Sequence, residues 1–301
     1  MQSVPYQMQS VPYDMYEQFM GPVRPCLICG DDPSGENRTI WAVDRYFTAI
    51  QCQNCRLITV DPGLSLEGLK IYYQNNMNRR LDQKKKMEAR QVQYSLDKKF
   101  LENYISSGKV LDIGCGGGLF LSVLSSSFEK YGIDIDEESI RYGRENFDFD
   151  LRNEIIGEDS FERNFFDLII FRGVIEHIYN PKPVLDRAYD LLKKDGKLFF
   201  CATPNVNSFC ADLYKEKWNL WHPIQHINLF SVTTLHRLCG RNKYSMDAVD
   251  YPYIGTPYEN WQDDYDQIKK DVVALKNNDF IGMKKSPPFW GNMLSLILGK
   301  R

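Results

Sequence analysis

Three groups of residues in this 301-residue chain have the types and spacing to do chemistry. Cys26 and Cys29 form one Cys-x-x-Cys pair, Cys52 and Cys55 a second, and 22 residues separate them. Thiolates two residues apart on a tight turn can face one ion, and two such knuckles complete the closed tetrahedral shell of structural zinc. Four thiolates leave no position open for water or substrate, so the expected zinc is structural and the module is expected to need it to fold. Four reduced cysteines in an ordinary loop are the plainer alternative. Gly30 follows the first knuckle, where a turn favours glycine, and Arg56 holds the matching place after the second. The second group is the run Val110 to Gly118, VLDIGCGGG, followed twenty residues after Gly114 by Asp134. Alternating glycines let a ligand approach the backbone, and an acid at that distance can take two hydrogen bonds from a ribose diol. The third group is the imidazoles His177, His222 and His226, of which His177 follows Glu176. A neutral imidazole can accept a proton from a hydroxyl or amine. In the plainer reading the Glu176-His177 pair only orders its loop. His222 and His226 are four apart, but Pro223 disfavours a regular helix between them and the sequence offers no third metal ligand.

These groups need elements to position them. Lys109 to Ile113 reads as a short apolar strand, Gly114 to Gly118 as a turn, and Leu119 onward as a helix, which together open a βαβ unit. A nicotinamide fingerprint would place its third glycine where Leu119 stands, and a P-loop would need Gly-Lys-Ser/Thr. Lys130 to Ile135 forms the next strand with Asp134 at its tip, and Asp136 is placed to cap a helix from Glu137 to Asn146. Further strands are expected near Asn153 to Ile156, over Phe166 to Phe171, over Lys197 to Ala202 and over Tyr244 to Val249. Pro181 opens one helix and Ser231 caps another through Arg241. Asn292 to Leu298 is a late strand or a short amphipathic helix, and Tyr258 to Lys276 a polar helical insertion. Between the cysteine pairs, Trp41, Val43, Tyr46, Phe47 and Ile50 read as short strands of a zinc ribbon.

The combination of VLDIGCGGG, YGIDID, FDLIIFRGVIEHIYNP and LLKKDGKLFFCATPN, in that order, resembles the class I S-adenosylmethionine-dependent methyltransferases over about residues 108 to 205. The resemblance implies a Rossmann-like α/β fold with a seven-stranded, mostly parallel sheet and helices on both faces. It places Gly114, Cys115, Gly116 and Gly118 around the cofactor's methionine and ribose, with Asp112 nearby. It puts Asp134 and Ile135 at the ribose and adenine side, Asp159 or Ser160 at the adenine, and Arg172 at the strand end facing the methionine. His177 and His226 are then the candidate catalytic groups. The stretch WNLWHPIQHINLFS, with Trp218, Trp221, His222 and His226, falls where such enzymes carry a substrate lid. His226, Asn228, Phe230 and Ser231 resemble a segment of the zinc-bearing branch, or simply pack the lid on the core. The cysteine module before this domain resembles that of methyltransferases acting on sugars and other small metabolites.

Composition bounds the rest. With 43% hydrophobic and 26% charged residues the chain can bury a large core. A net charge of -3 gives no global attraction to nucleic acid, and the sequence has no run of some eighteen apolar residues and no secretory leader, so a cytoplasmic protein is expected. The expected organisation is a flexible tail over 1–21 carrying the tandem MQSVPYQ/MQSVPYD, a zinc ribbon over 22–62, and a helical linker over 63–107. A methyltransferase core over 108–250 follows, with a lid at 206–230, and then an insertion and closing strand over 251–301. The linker is basic around Arg79, Arg80, Lys84, Lys85 and Lys86, which reads as a solvated helix face. Met87, Tyr94, Leu101 and Ile105 recur at helical spacing, so that helix is expected to pack on the core. The function expected is methyl transfer from S-adenosylmethionine to a small-molecule acceptor, a sugar or nucleotide sugar among the candidates. The rivals are an RNA methyltransferase using the basic cluster and a noncatalytic zinc-containing adaptor.

Overall fold

The computed structural model describes residues 19–32, 35–44, 47–65, 67–69, 71–72, 83–157, 159–279 and 282–301. The tandem heptad, Tyr46, Glu158, Arg79 and Arg80 lie outside the described residues, as do the side chains of Lys84 and Lys86. Of the basic cluster, only Lys85 is therefore placed, exposed on its helix.

A seven-stranded sheet carries the fold. Its strands are β4 (Gly108–Ile113), β5 (Phe128–Asp134), β6 (Asp150–Asn153), β7 (Phe166–Arg172), β8 (Leu192–Pro204), β10 (Tyr244–Asp250) and β11 (Met293–Lys300). They lie in the order β10-β11-β8-β7-β4-β5-β6, with β11 antiparallel to both neighbours and every other pairing parallel. A parallel sheet covered on both faces needs near-continuous apolar strands, and these strands supply them. Leu111, Ile169, Phe171, Leu198 and Phe200 point into one core, with Leu185 and Leu191 of α4 (Pro181–Leu191) and Leu235 of α6 (Val232–Cys239). The alternate residues Val110, Leu168, Ile170 and Phe199 enter the other. There they meet Tyr94 and Leu101 of α1 (Gln83–Glu102), Phe120 of α2 (Leu119–Val123) and Ile140 of α3 (Glu137–Asn146). The helix expected to pack on the core does so, with Met87 and Ile105 at its margins.

Local signals account for most boundaries. Asn180 caps α4 with Pro181 at its first position, and Ser231 and Thr234 form a reciprocal capping box on α6. That helix ends at Cys239, two residues before the expected Arg241, because Gly240 turns the chain at φ 93°. The third strand lies at Asp150–Asn153, ahead of the expected Asn153 to Ile156. Asp136 sits at the N-cap of α3 but makes no side-chain bond to the helix backbone; its carboxylate accepts from the Ser139 hydroxyl at 2.8 Å. The late segment is a strand, and the insertion contains α7 (Trp261–Lys276).

The cysteine-bearing segment forms an antiparallel sheet of β1 (Arg38–Val43), β2 (Thr48–Cys52) and β3 (Ile58–Val60). Its fourth strand, β9 (Asn228–Leu229), comes from the far end of the lid. Trp218 and Trp221 are buried against Trp41 of β1, with ring centroids at 6.4 and 6.0 Å. These tryptophans therefore join ribbon to lid, and neither is among the residues that line the cavity at the strand ends. The α5 helix (Phe209–Tyr214) joins this third core.

Candidate active site

The turn after β4 is the most constrained backbone in the sheet. Gly114, Gly116 and Gly118 have φ of 78°, 55° and 74°, which an L side chain adopts only at a cost. A Cβ on Gly114 would also fall 2.5 Å from Val174 Cγ2, so this turn and the loop after β7 are packed against each other. Asp134, at the tip of β5, accepts the Gly116 N–H at 2.7 Å and the Asp136 N–H at 2.8 Å. A carboxylate offers about four lone-pair sites, so these two bonds are compatible with two more from a ribose diol. Ile135 beside it is 54% exposed, an apolar surface where an adenine is expected. Asp159 and Ser160 follow β6 on the same side; the Ser160 hydroxyl accepts the Gly157 N–H at 2.8 Å, and Asp159 is exposed.

Asp112 is buried inside this rim with one carboxylate oxygen lacking a partner among the described residues. Burial pushes its pKa up to about 8, with Arg172 opposing the shift and Asp134 adding to it. An orphaned buried acid beside a glycine turn suits a cationic ligand, and S-adenosylmethionine carries a sulfonium and an ammonium. Arg172 itself is engaged: its guanidinium pairs with Asp97 of α1 at 2.9 and 3.0 Å and lies 4.4 Å over the Tyr94 ring. Asp97 was not legible from sequence, since it lies in a polar helix 75 residues before its partner.

Beyond Arg172 the chain makes a single 3-10 turn, Ile175–His177, and here the imidazoles converge. The rings of His177 and His226 are 5.0 Å apart, and His222 lies 5.2 Å from His226. His177 Nδ1 bonds to the Gln225 carbonyl at 3.0 Å and His226 Nδ1 to the Leu220 carbonyl at 2.9 Å. A carbonyl can only accept, so both rings carry their proton on Nδ1 and present Nε2 as the basic atom. His177 Nε2 is 3.8 Å from Glu176 Oε1. Glu176 is buried, which pushes its pKa up to about 8, against the pull of its own backbone N–H and Arg172. His226 is pushed well below the usual imidazole value by burial and by the two neighbouring histidines, so it is neutral. A cavity of about 330 Å³ opens between these groups and the ends of β7 and β8 at Gly173 and Ala202. Its far wall is built by Gln93 and Asp97 of α1 and by Thr256 and Tyr258 after β10.

The four cysteines meet as the spacing requires, with all Sγ atoms within 4.8 Å of one another. Cys26 and Cys55 are 3.3 Å apart and Cys29 and Cys52 3.6 Å. Disulfides need about 2.05 Å, whereas a tetrahedral shell with zinc–sulfur bonds of about 2.3 Å puts its sulfurs about 3.7 Å apart. The residues present therefore fit a zinc ion. The thiols compete for charge: the Cys55 bond draws Cys26 down to about 5, while Cys55 and Cys29 are pushed up. Arg56 takes the left-handed conformation at φ 68°, matching Gly30 at 73°, so the second knuckle forms without a glycine. The ribbon also holds the histidine loop. Arg24 donates to the Tyr179 carbonyl at 2.7 Å while its own N–H bonds Asp61, and Asn228 of β9 donates to the Ile178 carbonyl at 2.7 Å.

A family model described as a methyltransferase domain matches residues 77–249, more than half of the chain. This chain belongs to that methyltransferase family. A ubiquinone biosynthesis O-methyltransferase of Coxiella burnetii is 34% identical over 131 residues, covering 38% of this chain and 52% of that protein. One from Idiomarina loihiensis is 28% identical over 138 residues, covering 41% and 56%. The chain thus spans about half the length of the curated relatives it matches. Among solved structures, a Thermotoga maritima protein described as a SAM-dependent methyltransferase and possible histamine N-methyltransferase covers 77% of this chain and 99% of its own. Its TM-score is 0.52 at 16% identity, a likeness of fold. The expectations of a Rossmann-like class I fold and of a methyltransferase domain hold. No helix among the described residues is long and apolar enough to cross a membrane.

Proposed function

We propose that this methyltransferase transfers the methyl group to a small, polar acceptor held in the cavity bounded by Gly173, Ala202, His177 and His226. The observation that supports this most is the meeting of the two histidines at the strand ends next to the glycine turn, in a space of about 330 Å³ suited to a small molecule. S-adenosylmethionine, when bound, supplies a methyl group already activated by its positive sulfur. Gly114, Cys115, Gly116 and Gly118 would receive its methionine and ribose, Asp134 the ribose diol, Ile135 with Asp159 or Ser160 the adenine, and Asp112 the positive end. Arg172, fixed by Asp97, would act as a wall of the cavity and through its charge on Asp112 rather than by direct contact. The protein's own contribution is then alignment of the acceptor, exclusion of water by the lid, and removal of one proton. The Nε2 atoms of His177 and His226 are the groups placed for that proton, with Nδ1 of each held by a carbonyl.

Gln93, Gln225, Thr256 and Tyr258 give the cavity hydrogen-bonding walls, which favour a hydroxylated acceptor such as a sugar or nucleotide sugar. The relatives named for ubiquinone biosynthesis make a phenolic hydroxyl the other class to test. Cys26, Cys29, Cys52 and Cys55 would hold a structural zinc that keeps β9 and the histidine loop in place. The test is incubation with methyl-labelled S-adenosylmethionine and separate pools of nucleotide sugars, phenols and RNA. Label in a small molecule is expected; label confined to RNA would overturn the assignment, and no binding of the cofactor to zinc-loaded protein would turn it to an adaptor.

A further inference from the structure

Glu176, His177 and His226 make a second cluster with metal-ligand chemistry, separate from the four cysteines. One carboxylate oxygen and one nitrogen from each ring all lie within 4.8 Å of one another. We infer that this cluster is a binding site for a divalent first-row transition cation at the wall of the acceptor cavity. The inference rests on the methyltransferase reading above and refines how the two imidazoles act, through a cation rather than by taking the proton themselves.

Three observations carry it. Each ring is oriented by a bond from Nδ1 to a main-chain carbonyl, at 3.0 Å to Gln225 and 2.9 Å to Leu220. That outer-shell bond is what fixes the tautomer of metal-ligating histidines, with Nε2 as ligand atom. Glu176 is only 2% exposed, yet its Oε2 has no hydrogen-bond partner among the described residues. A buried oxygen in that state costs several kcal/mol unless a cation or proton meets it. The spacing is also close to what a cation needs. His177 Nε2 and Glu176 Oε1 are 3.8 Å apart, and ligands bound at about 2.0–2.1 Å in a tetrahedral shell lie about 3.4 Å apart, so small side-chain rotations close the site.

Two imidazoles and a carboxylate suit manganese, iron, cobalt or zinc and leave positions open toward the cavity that Glu176, His177 and His226 all line. An acceptor hydroxyl in an open position loses its proton to solvent more readily, before the lid excludes water, because the cation stabilises the oxyanion. The new oxygen–carbon bond then forms as the sulfur–methyl bond breaks, giving a neutral thioether, with no change in oxidation state. The acceptor favoured by such a site has an oxygen as its methylated atom. His222 is outside the cluster although its ring touches that of His226.

The experiment uses the 301-residue protein carrying one zinc per chain, with excess zinc removed, and titrates Mn2+, following the free-ion electron paramagnetic resonance signal. One Mn2+ per chain is expected, without loss of the cysteine-bound zinc. Binding should fall at least tenfold in His177→Gln and Glu176→Gln and remain within threefold in His222→Gln. His177 is the safer substitution because its side chain is 22% exposed, and near-ultraviolet circular dichroism checks that each variant is folded. No Mn2+ binding to the parent protein, or equal binding by folded His177→Gln, overturns the inference. Calorimetry with S-adenosylhomocysteine on the same samples separates the two claims: cofactor binding without Mn2+ binding removes the cation site and leaves the methyltransferase reading intact.

Discussion

Replacing Asp134 by alanine tests the donor half of the site with the least disturbance to the core. In the structure its carboxylate holds the Gly116 and Asp136 N–H groups at 2.7 and 2.8 Å, which keeps the glycine turn against the tip of β5. The proposed ribose adds two charge-assisted bonds, each worth about 1.5–3 kcal/mol. The strand tip is partly open to water, so about 2–4 kcal/mol in total is a reasonable loss, or roughly 30- to 1,000-fold in dissociation constant. Isothermal titration of S-adenosylhomocysteine into parent protein and variant measures it directly. Asp134→Asn keeps an acceptor for one backbone bond and should fall between the two. An alanine variant that is folded and binds within threefold of the parent would refute the ribose role.

Three further outcomes follow from other parts of the molecule. Zinc analysis should find one ion per chain, and Cys29→Ser, at the exposed cysteine, should lower zinc retention under chelator and red-shift tryptophan emission as Trp218 and Trp221 lose Trp41; zinc-free protein with parental emission would contradict this. Asp112 has a folded-state pKa raised to about 8, so the folded form keeps a proton that the unfolded chain releases near 3.8. Its stabilising effect is therefore lost as pH rises from about 4 through about 8, and Asp112→Asn should flatten the fall in cofactor-free stability across that window, measured by urea unfolding; identical slopes would contradict it. Cofactor binding near this acid should also release protons, seen as a buffer-dependent binding enthalpy. Arg56→Gly relieves a left-handed residue and should stabilise the zinc-bound module by about 1 kcal/mol, raising the melting temperature by roughly 2 °C, whereas a lower melting temperature would show that Arg56 contributes more than its turn costs.

Much of the donor side was legible because short-range rules govern it. The strand, glycine turn and acid of VLDIGCGGG and YGIDID sit within 25 residues of one another, and apolar runs marked β4, β5, β7 and the core of β8. The third strand was displaced because Asp-Leu-Arg-Asn is an edge strand with one buried residue, leaving no apolar run to find. The acceptor side was written in long-range contacts. Nothing in WNLWHPIQHINLFS shows that its tryptophans face Trp41 or that Asn228 and Leu229 extend the ribbon sheet from about 170 residues away. The Asp97–Arg172 pair and the approach of His226 to Glu176 and His177 are products of the same closure. The imidazoles themselves were visible in the sequence; the third ligand-type group beside His226 was missed because Glu176 precedes it by fifty residues.

The most direct test of the central claim is a crystal structure with S-adenosylhomocysteine bound. The account predicts the ribose hydroxyls on Asp134, the adenine against Ile135, the amino acid end at the glycine turn near Asp112, and the sulfur directed into the cavity between Gly173 and His226. A sulfur directed away from His177 and His226, or a product bound elsewhere on the sheet, would contradict it.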